Sequence, residues 1–195
     1  MRGRIVLPTA LMAALVALWE LGVRLSDAPL YVLPAPSRVL AALFEERQAL
    51  FSHSVVTVGE TLIGLLIAAA AGIFLAVLMD ACRPFKAAIY PLLVVSQTVP
   101  VIVLAPIFII YLGFGLAPKV LTVVLMCFFP IVVSFADGME QVDQTQINLI
   151  RAFGASRLQE YTFVKLPAAA PTLFSGLKVA ATYSISGAVV GEWLA

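Results

Sequence analysis

Thiols are nearly missing from this chain: among its 195 residues only Cys82 and Cys127 carry one. One lies beside a basic stretch and the other inside an apolar run, which is not the pattern of a disulfide framework. Histidine is scarcer still, with His53 alone. A His-rich metal site or a Ser/His relay therefore has almost no material. Charge is thin: Asp, Glu, Lys and Arg make up 12% of the residues and balance to +1. Nothing in that balance points to a nucleic-acid partner. A Walker-type glycine-rich loop is also lacking, so the chain has no such motif for ATP hydrolysis.

What is plentiful is apolar. Hydrophobic residues reach 62% and the mean hydropathy is +1.05. A soluble domain is about 45–50% apolar and about 25% charged. A core of 20.8 kDa cannot hide that excess, so lipid must solvate the rest. The expected fold is an all-α integral membrane protein. The N-terminal Met1-Arg2-Gly3-Arg4 leads into an apolar run too long for a signal-peptide h-region, with no clean small-x-small cleavage site. It reads as an uncleaved first span.

Runs near the 20 residues a bilayer requires fall at about residues 5–23, 61–79, 87–112, 117–135 and 172–194. The third is interrupted by Pro91, Pro100 and Pro106. With the N-terminus inside, the inner segments hold Arg2, Arg4, Arg83, Lys86, Arg151, Arg157 and Lys165, and the outer ones Arg24, Arg38, Arg47 and Lys119. This bias favours a cytoplasmic N-terminus. In the outer segment, residues 26–54, a stiff Leu33-Pro34-Ala35-Pro36-Ser37 stretch precedes Val39, Leu40, Leu43, Phe44 and Leu50. That spacing predicts an amphipathic helix. Small residues recur at every fourth position in two spans: Gly64, Ala68, Gly72, Ala76, and Gly176, Ala180, Ser184, Ala188. Such rows permit close helix approach, here expected within the subunit.

The inner segment, residues 136–171, has its own helical signals. Ile147, Ile150 and Leu149, Phe153 fall at helical spacing. Gly154 suits a left-handed cap, and Ser156 with Gln159 forms a capping box for a second helix. Pro167 is expected to end that helix, because Leu166 before it is pushed out of helical geometry. The reading is helix, elbow, helix, with Arg151 and Arg157 on either side. The alternative is an amphipathic hairpin lying on headgroups.

Arg151-Ala152-Phe153-Gly154-Ala155-Ser156-Arg157, followed at a set interval by Leu166-Pro167, resembles the EAA loop of binding-protein-dependent ABC permeases. Leu33-Pro34-Ala35-Pro36-Ser37, Gln97-Thr98-Val99-Pro100, Gly113-Phe114-Gly115 and Gly191-Glu192-Trp193-Leu194 extend the likeness over nearly the whole chain. They resemble the branch that imports nitrate, taurine, aliphatic sulfonates and thiamine or riboflavin precursors. The resemblance implies a MetI-like type I importer transmembrane domain in the bacterial inner membrane. It implies a second permease copy as a homodimer, a cytoplasmic ABC ATPase dimer holding ATP and Mg, and an external substrate-binding protein. No cofactor is expected on this chain. ATPase coupling is assigned to Asn148, Arg151, Ala152, Phe153, Gly154, Ala155, Ser156, Arg157 and Pro167.

Two departures stand out. The Glu-Ala-Ala positions are Asn148-Leu149-Ile150, so the loop lacks its name-giving glutamate. The branch has six spans and about five are found, so the chain is expected to lack the last span. A pathway is expected where polar groups and broken backbone meet in the spans: Gln97, Thr98 and Pro100, then Ser184 and Ser186. Glu60 and Glu192 near outer span ends read as hydrated interfacial carboxylates, and Lys119 as a snorkelling residue. A gradient-driven transporter or channel is the rival reading. It predicts midspan charges and internal repeats, and the spans carry neither. A membrane enzyme would have to rest on Asp137-Gly138 and Asp143, which lack a further acidic cluster. The topology is directly testable: cysteines introduced at Ser37 and Ser156 label from opposite faces of the membrane, and same-side labelling overturns it.

Overall fold

In the computed structural model, residues 3–26 and 29–194 are described. Arg2, counted in the basic tally, lies outside them. Among the described residues every element is helical. The chain divides into two compact units, Met1–Val55 and Val56–Ala195.

In the first unit α1 (Gly3–Ser26) precedes α2 (Pro36–Glu45). The cap position of α2, Ala35, offers no side-chain acceptor. Glu20 of α1 replaces it: its carboxylate accepts the Ser37 N–H at 2.9 Å and the Ser37 hydroxyl at 2.7 Å. A carboxylate there meets orphan amides and the positive end of the helix dipole. The predicted amphipathic helix is thus shorter than expected. Leu50 belongs instead to α3 (Arg47–Ala81), which begins after a single-residue break.

Among the described residues four helices are long and apolar enough to cross a membrane, or five spans if one bent pair is counted as a span. α3 supplies 35 residues, or roughly 50 Å of helix. That exceeds the ~30 Å hydrocarbon thickness, so α3 extends beyond the apolar slab. The third predicted span is not one helix. α4 (Arg83–Ser96) and α5 (Val101–Leu112) meet at 98° across a four-residue break. Only Pro100 breaks the run; Pro91 and Pro106 lie inside helices. At Pro100 the backbone is extended (φ −62°, ψ 124°) and caps α5. Just before it, the Ser96 and Thr98 hydroxyls bond the Leu93 and Val95 carbonyls. The Gln97, Thr98 and Val99 amides bond carbonyls three residues back, a tightened last turn that ends α4.

α6 (Leu116–Glu140) runs five residues past the expected end of the fourth span. The last helix, α9 (Leu166–Leu194), starts before Pro167 rather than after it. Proline ends nothing here. The preceding turn, Tyr161–Lys165, is π-helical, and the Leu166 N–H reaches back to the Tyr161 carbonyl. Widening the turn relieves the clash between a proline ring and the carbonyl four residues earlier. Leu166 itself remains helical (φ −62°, ψ −47°).

The second unit is organised around α6. Both small-residue rows are buried, and they face it from two sides. A Cβ on Gly64 would sit 2.5 Å from Val123, and one on Gly72 3.0 Å from Ile131. On α9, a Cβ on Gly176 would lie 2.7 Å from the Pro130 carbonyl oxygen. The rows therefore serve packing within the subunit, as expected. Ala68, Val123, Cys127, Ile131, Ala180 and Ala188 fill one stretch of this seam. Ala76, Met79, Val132, Phe135, Met139 and Ala169 fill the other. Lipid-embedded helices gain little from hydrophobicity between themselves, so this fit must hold them.

Gly176→Ala forces a methyl against a backbone carbonyl that cannot rotate away. It is expected to lower the thermal midpoint of the detergent-solubilised protein, at a cost of about 1–3 kcal/mol. Gly59→Ala, where nothing lies within 4 Å, leaves the midpoint unchanged or slightly raised, since alanine favours helix.

Candidate functional site

The elbow is built from strictly local rules. α7 (Gln144–Ala152) is capped by Asp143, which accepts the Thr145 N–H at 2.8 Å. That bond holds the Asp143 carboxyl below the usual carboxylate range. At its other end Gly154 adopts φ +81°. The Gly154 N–H bonds the Arg151 carbonyl and the Ala155 N–H bonds the Ile150 carbonyl. This is a Schellman closure, which consumes the last carbonyls of the helix. Ser156 then caps α8 (Arg157–Glu160), with Gln159 completing the box. α8 passes into the π turn and α9 without interruption.

An ion pair fixes the angle. The Arg151 Nε and Nη2 donate to the two carboxylate oxygens of Glu160 at 2.8 and 2.9 Å. Glu160 is buried, at 4% exposure. A fork-on-fork pair of this kind adds geometric specificity as well as energy. Arg151, expected to face a partner, is tied to Glu160 while its side chain stays 56% exposed. Ile147 is also buried, anchoring α7. The outer surface is apolar: Leu149, Phe153 and Leu158 are 59%, 82% and 74% exposed. Asn148, Ala152, Gly154, Ser156 and Arg157 are exposed beside them, and Ala155 is half-buried. Pro167 sits away from this tip, inside α9.

At the root of the elbow two further ties cross between helices. Lys165 Nζ lies 2.7 Å from Asp80 Oδ2 on α3, and the Tyr161 hydroxyl donates to the same oxygen. Lys86 of α4 pairs with Glu140 of α6 at 2.7 Å. Asp137, considered above as half of an acidic motif, accepts from Tyr90 at 3.5 Å. Among the described residues no three His, Cys, Asp or Glu side chains gather as metal ligands would.

The break between α4 and α5 opens a cavity of about 370 Å³ against α6 and α9. Gln97 and Pro100 line it, with Phe128, Phe129 and Tyr183. The other candidates for a pathway fall elsewhere. The Thr98 hydroxyl is turned onto the Val95 carbonyl. Ser184 is buried and bonds the Ala181 carbonyl at 2.8 Å. Ser186 is exposed, and neither serine lines the cavity.

At the opposite end of the unit the carboxylates are not simply hydrated. Glu60 is 3% exposed and lies 3.3 Å from Lys119 Nζ. Glu192 accepts the Thr57 hydroxyl at 2.7 Å. Lys119 therefore does not merely snorkel. Its side chain is largely covered and closes an ion pair between α3 and α6. Sequence spacing offered no sign of these pairings. The one available cue was a glutamate and a lysine placed near the same depth of two spans.

Comparison with known proteins agrees with this architecture. Residues 61–195 match the family of binding-protein-dependent transport system inner membrane components. A probable ABC transporter permease protein of Haemophilus influenzae is 34% identical over 194 residues, covering 100% of this chain and 79% of that protein. The formylaminopyrimidine transport permease protein of Halalkalibacterium halodurans is 36% identical over 188 residues, 96% of this chain and 75% of that one. The riboflavin transport system permease protein of Chloroflexus aurantiacus is 33% identical over 191 residues, 97% and 71% respectively. Helices that pack through small residues, a broken span and a helical elbow with a left-handed glycine are thus found in a chain that belongs to the MetI-like permeases of binding-protein-dependent ABC importers.

Proposed function

We propose that the tip of the elbow, residues 148–158, seats in a groove of a cytoplasmic ABC ATPase and that the elbow passes the closure of that partner to the spans. The observation that carries this is a rigidly closed turn with an apolar tip: Leu149, Phe153 and Leu158 are exposed on a hairpin fixed by a Schellman closure, a capping box and the Arg151–Glu160 pair. An exposed apolar patch on a rigid support fits a protein partner. In this reading the elbow and N-terminus face the cytoplasm of a bacterial cell. The chain works as a homodimer in the inner membrane, with an external binding protein delivering the solute. ATP and Mg belong to the ATPase.

The solute on this reading is an uncharged, flat heteroaromatic compound, a pyrimidine or flavin precursor. The cavity at the α4–α5 break supports it, with aromatic faces at Phe128, Phe129 and Tyr183, a carboxamide at Gln97 and no charged side chain. An anion such as nitrate or a sulfonate would leave water there without a compensating cation, at high cost. The relatives named for formylaminopyrimidine and riboflavin point the same way.

Gly154→Val tests the docking. Nothing lies within 4 Å of the Cβ it adds, so any effect arises from forcing a β-branched residue into φ +81°. The variant is expected to insert into the membrane normally while losing ATPase co-purification and about 90% of uptake, a tenfold loss equivalent to roughly 1.4 kcal/mol. Near-normal co-purification and uptake would refute docking. For the solute, Phe129→Ala should cut uptake of a heteroaromatic substrate without altering ATPase co-purification. Uptake of taurine or nitrate in preference by the unaltered importer would overturn the assignment.

A further inference from the structure

The elbow joins α9 through a weak joint. The π turn Tyr161–Lys165 is followed immediately by Leu166 and Pro167. A π turn has one residue more than the regular ladder needs, and proline withdraws a backbone donor. Left alone, a joint of this kind would bend and absorb a displacement of the elbow instead of passing it on.

The structure braces that joint from another helix. Asp80, next to the last residue of α3, takes a 2.7 Å contact from Lys165 Nζ and a hydrogen bond from the Tyr161 hydroxyl, both on Oδ2. These two residues are the first and last of the π turn. The ammonium also lies 5.0 Å from the centroid of the Tyr161 ring. The lysine and aspartate side chains are only 14% and 11% exposed. A pair so covered is far less screened than one at an open surface. Beneath it, Met79 and Ala76 of α3 pack with Tyr161 and Leu166. On the other side, Arg151 and Glu160 bind α7 to α8. The Arg151–Glu160 pair and the Tyr161–Asp80 hydrogen bond thus lead in series from the elbow to α3 ahead of the soft turn, and Lys165 ties the far end of the turn to the same carboxylate.

We propose that Asp80, Lys165 and Tyr161 are positioning residues for transport: together they form a strut that carries elbow movement into α3, so that α3 and α9 move as one body when the partner ATPase closes. This rests on the docking assigned to the elbow above. α3 in turn meets α6 through Gly64 and Gly72, so the strut delivers movement to both faces of the α6 seam.

The test uses the complete importer, permease with its ATPase and binding protein, in proteoliposomes. Three readouts are taken together: ATPase co-purification, thermal midpoint, and ATP hydrolysed per solute imported. Asp80→Asn and Lys165→Met should keep co-purification while raising ATP consumed per solute about tenfold, within the range typical of coupling free energies. Tyr161→Phe, which retains the ring over Lys165, should give a smaller rise. The exchange Asp80→Lys with Lys165→Asp should recover most of the coupling. If Asp80→Asn imports with the normal ATP ratio while still holding the ATPase, the strut is wrong. If uptake falls only in proportion to a lowered thermal midpoint, with the ratio unchanged, the trio is merely structural and the proposal is likewise overturned. If the unaltered permease fails to hold the ATPase through the elbow, the docking falls first and the strut with it.

Discussion

The close approach of α3 and α9 to α6 is the constraint on which the second unit depends. Gly64 and Gly176 come so near to Val123 and Pro130 that a single methyl would collide, and Gly72 and Gly187 leave one only a tight fit against Ile131 and Val123. In a bilayer, lipid tails compete on equal terms with leucine, so only steric fit and polar contacts can select one arrangement. That fit makes the core of the unit thin and stiff. Ties through charged side chains then sit at its two ends rather than within it: Glu60–Lys119 and Thr57–Glu192 at one, Lys86–Glu140 and Lys165–Asp80 at the other. Charges at the ends of spans meet water or one another at modest cost, whereas at midspan they would be expensive.

The elbow was readable because its determinants are short-range. A left-handed glycine, a serine and a glutamine three residues on are each decided by neighbours in sequence, and the structure contains the closure they imply. The small-residue rows were readable for a similar reason: period four on a helix maps to one face. The family resemblance carried the rest of the architecture, and the match over residues 61–195 agrees with it.

What escaped the sequence was long-range or degenerate. Lys165 and Asp80 are 85 residues apart in the chain, and nothing in either neighbourhood announces the other. Glu60 and Lys119 looked like separate interfacial residues until two helices brought them together. Three prolines in one apolar run looked equivalent, yet only Pro100 divides it. Just ahead of it the Gln97, Thr98 and Val99 amides each take the carbonyl three residues back, so the chain has already left the regular ladder when Pro100 arrives. Pro167 misled in the opposite direction. A rule about regular helix geometry does not bind a segment able to widen into a π turn. Ser184 bonds its own helix backbone and Ser186 is exposed, so neither lines the cavity at the α4–α5 break.

The two thiols acquire a use from where the seam lies. Cys127 has no exposed surface and its Sγ donates to the Ala180 carbonyl across the α6–α9 contact at 3.3 Å. Cys82 is exposed in the cap position that opens α4. A maleimide added to the native protein therefore meets one thiol at once and the other only when α6 and α9 part. The unaltered chain carries its own stopwatch for helix separation, with a reference mark already running beside it.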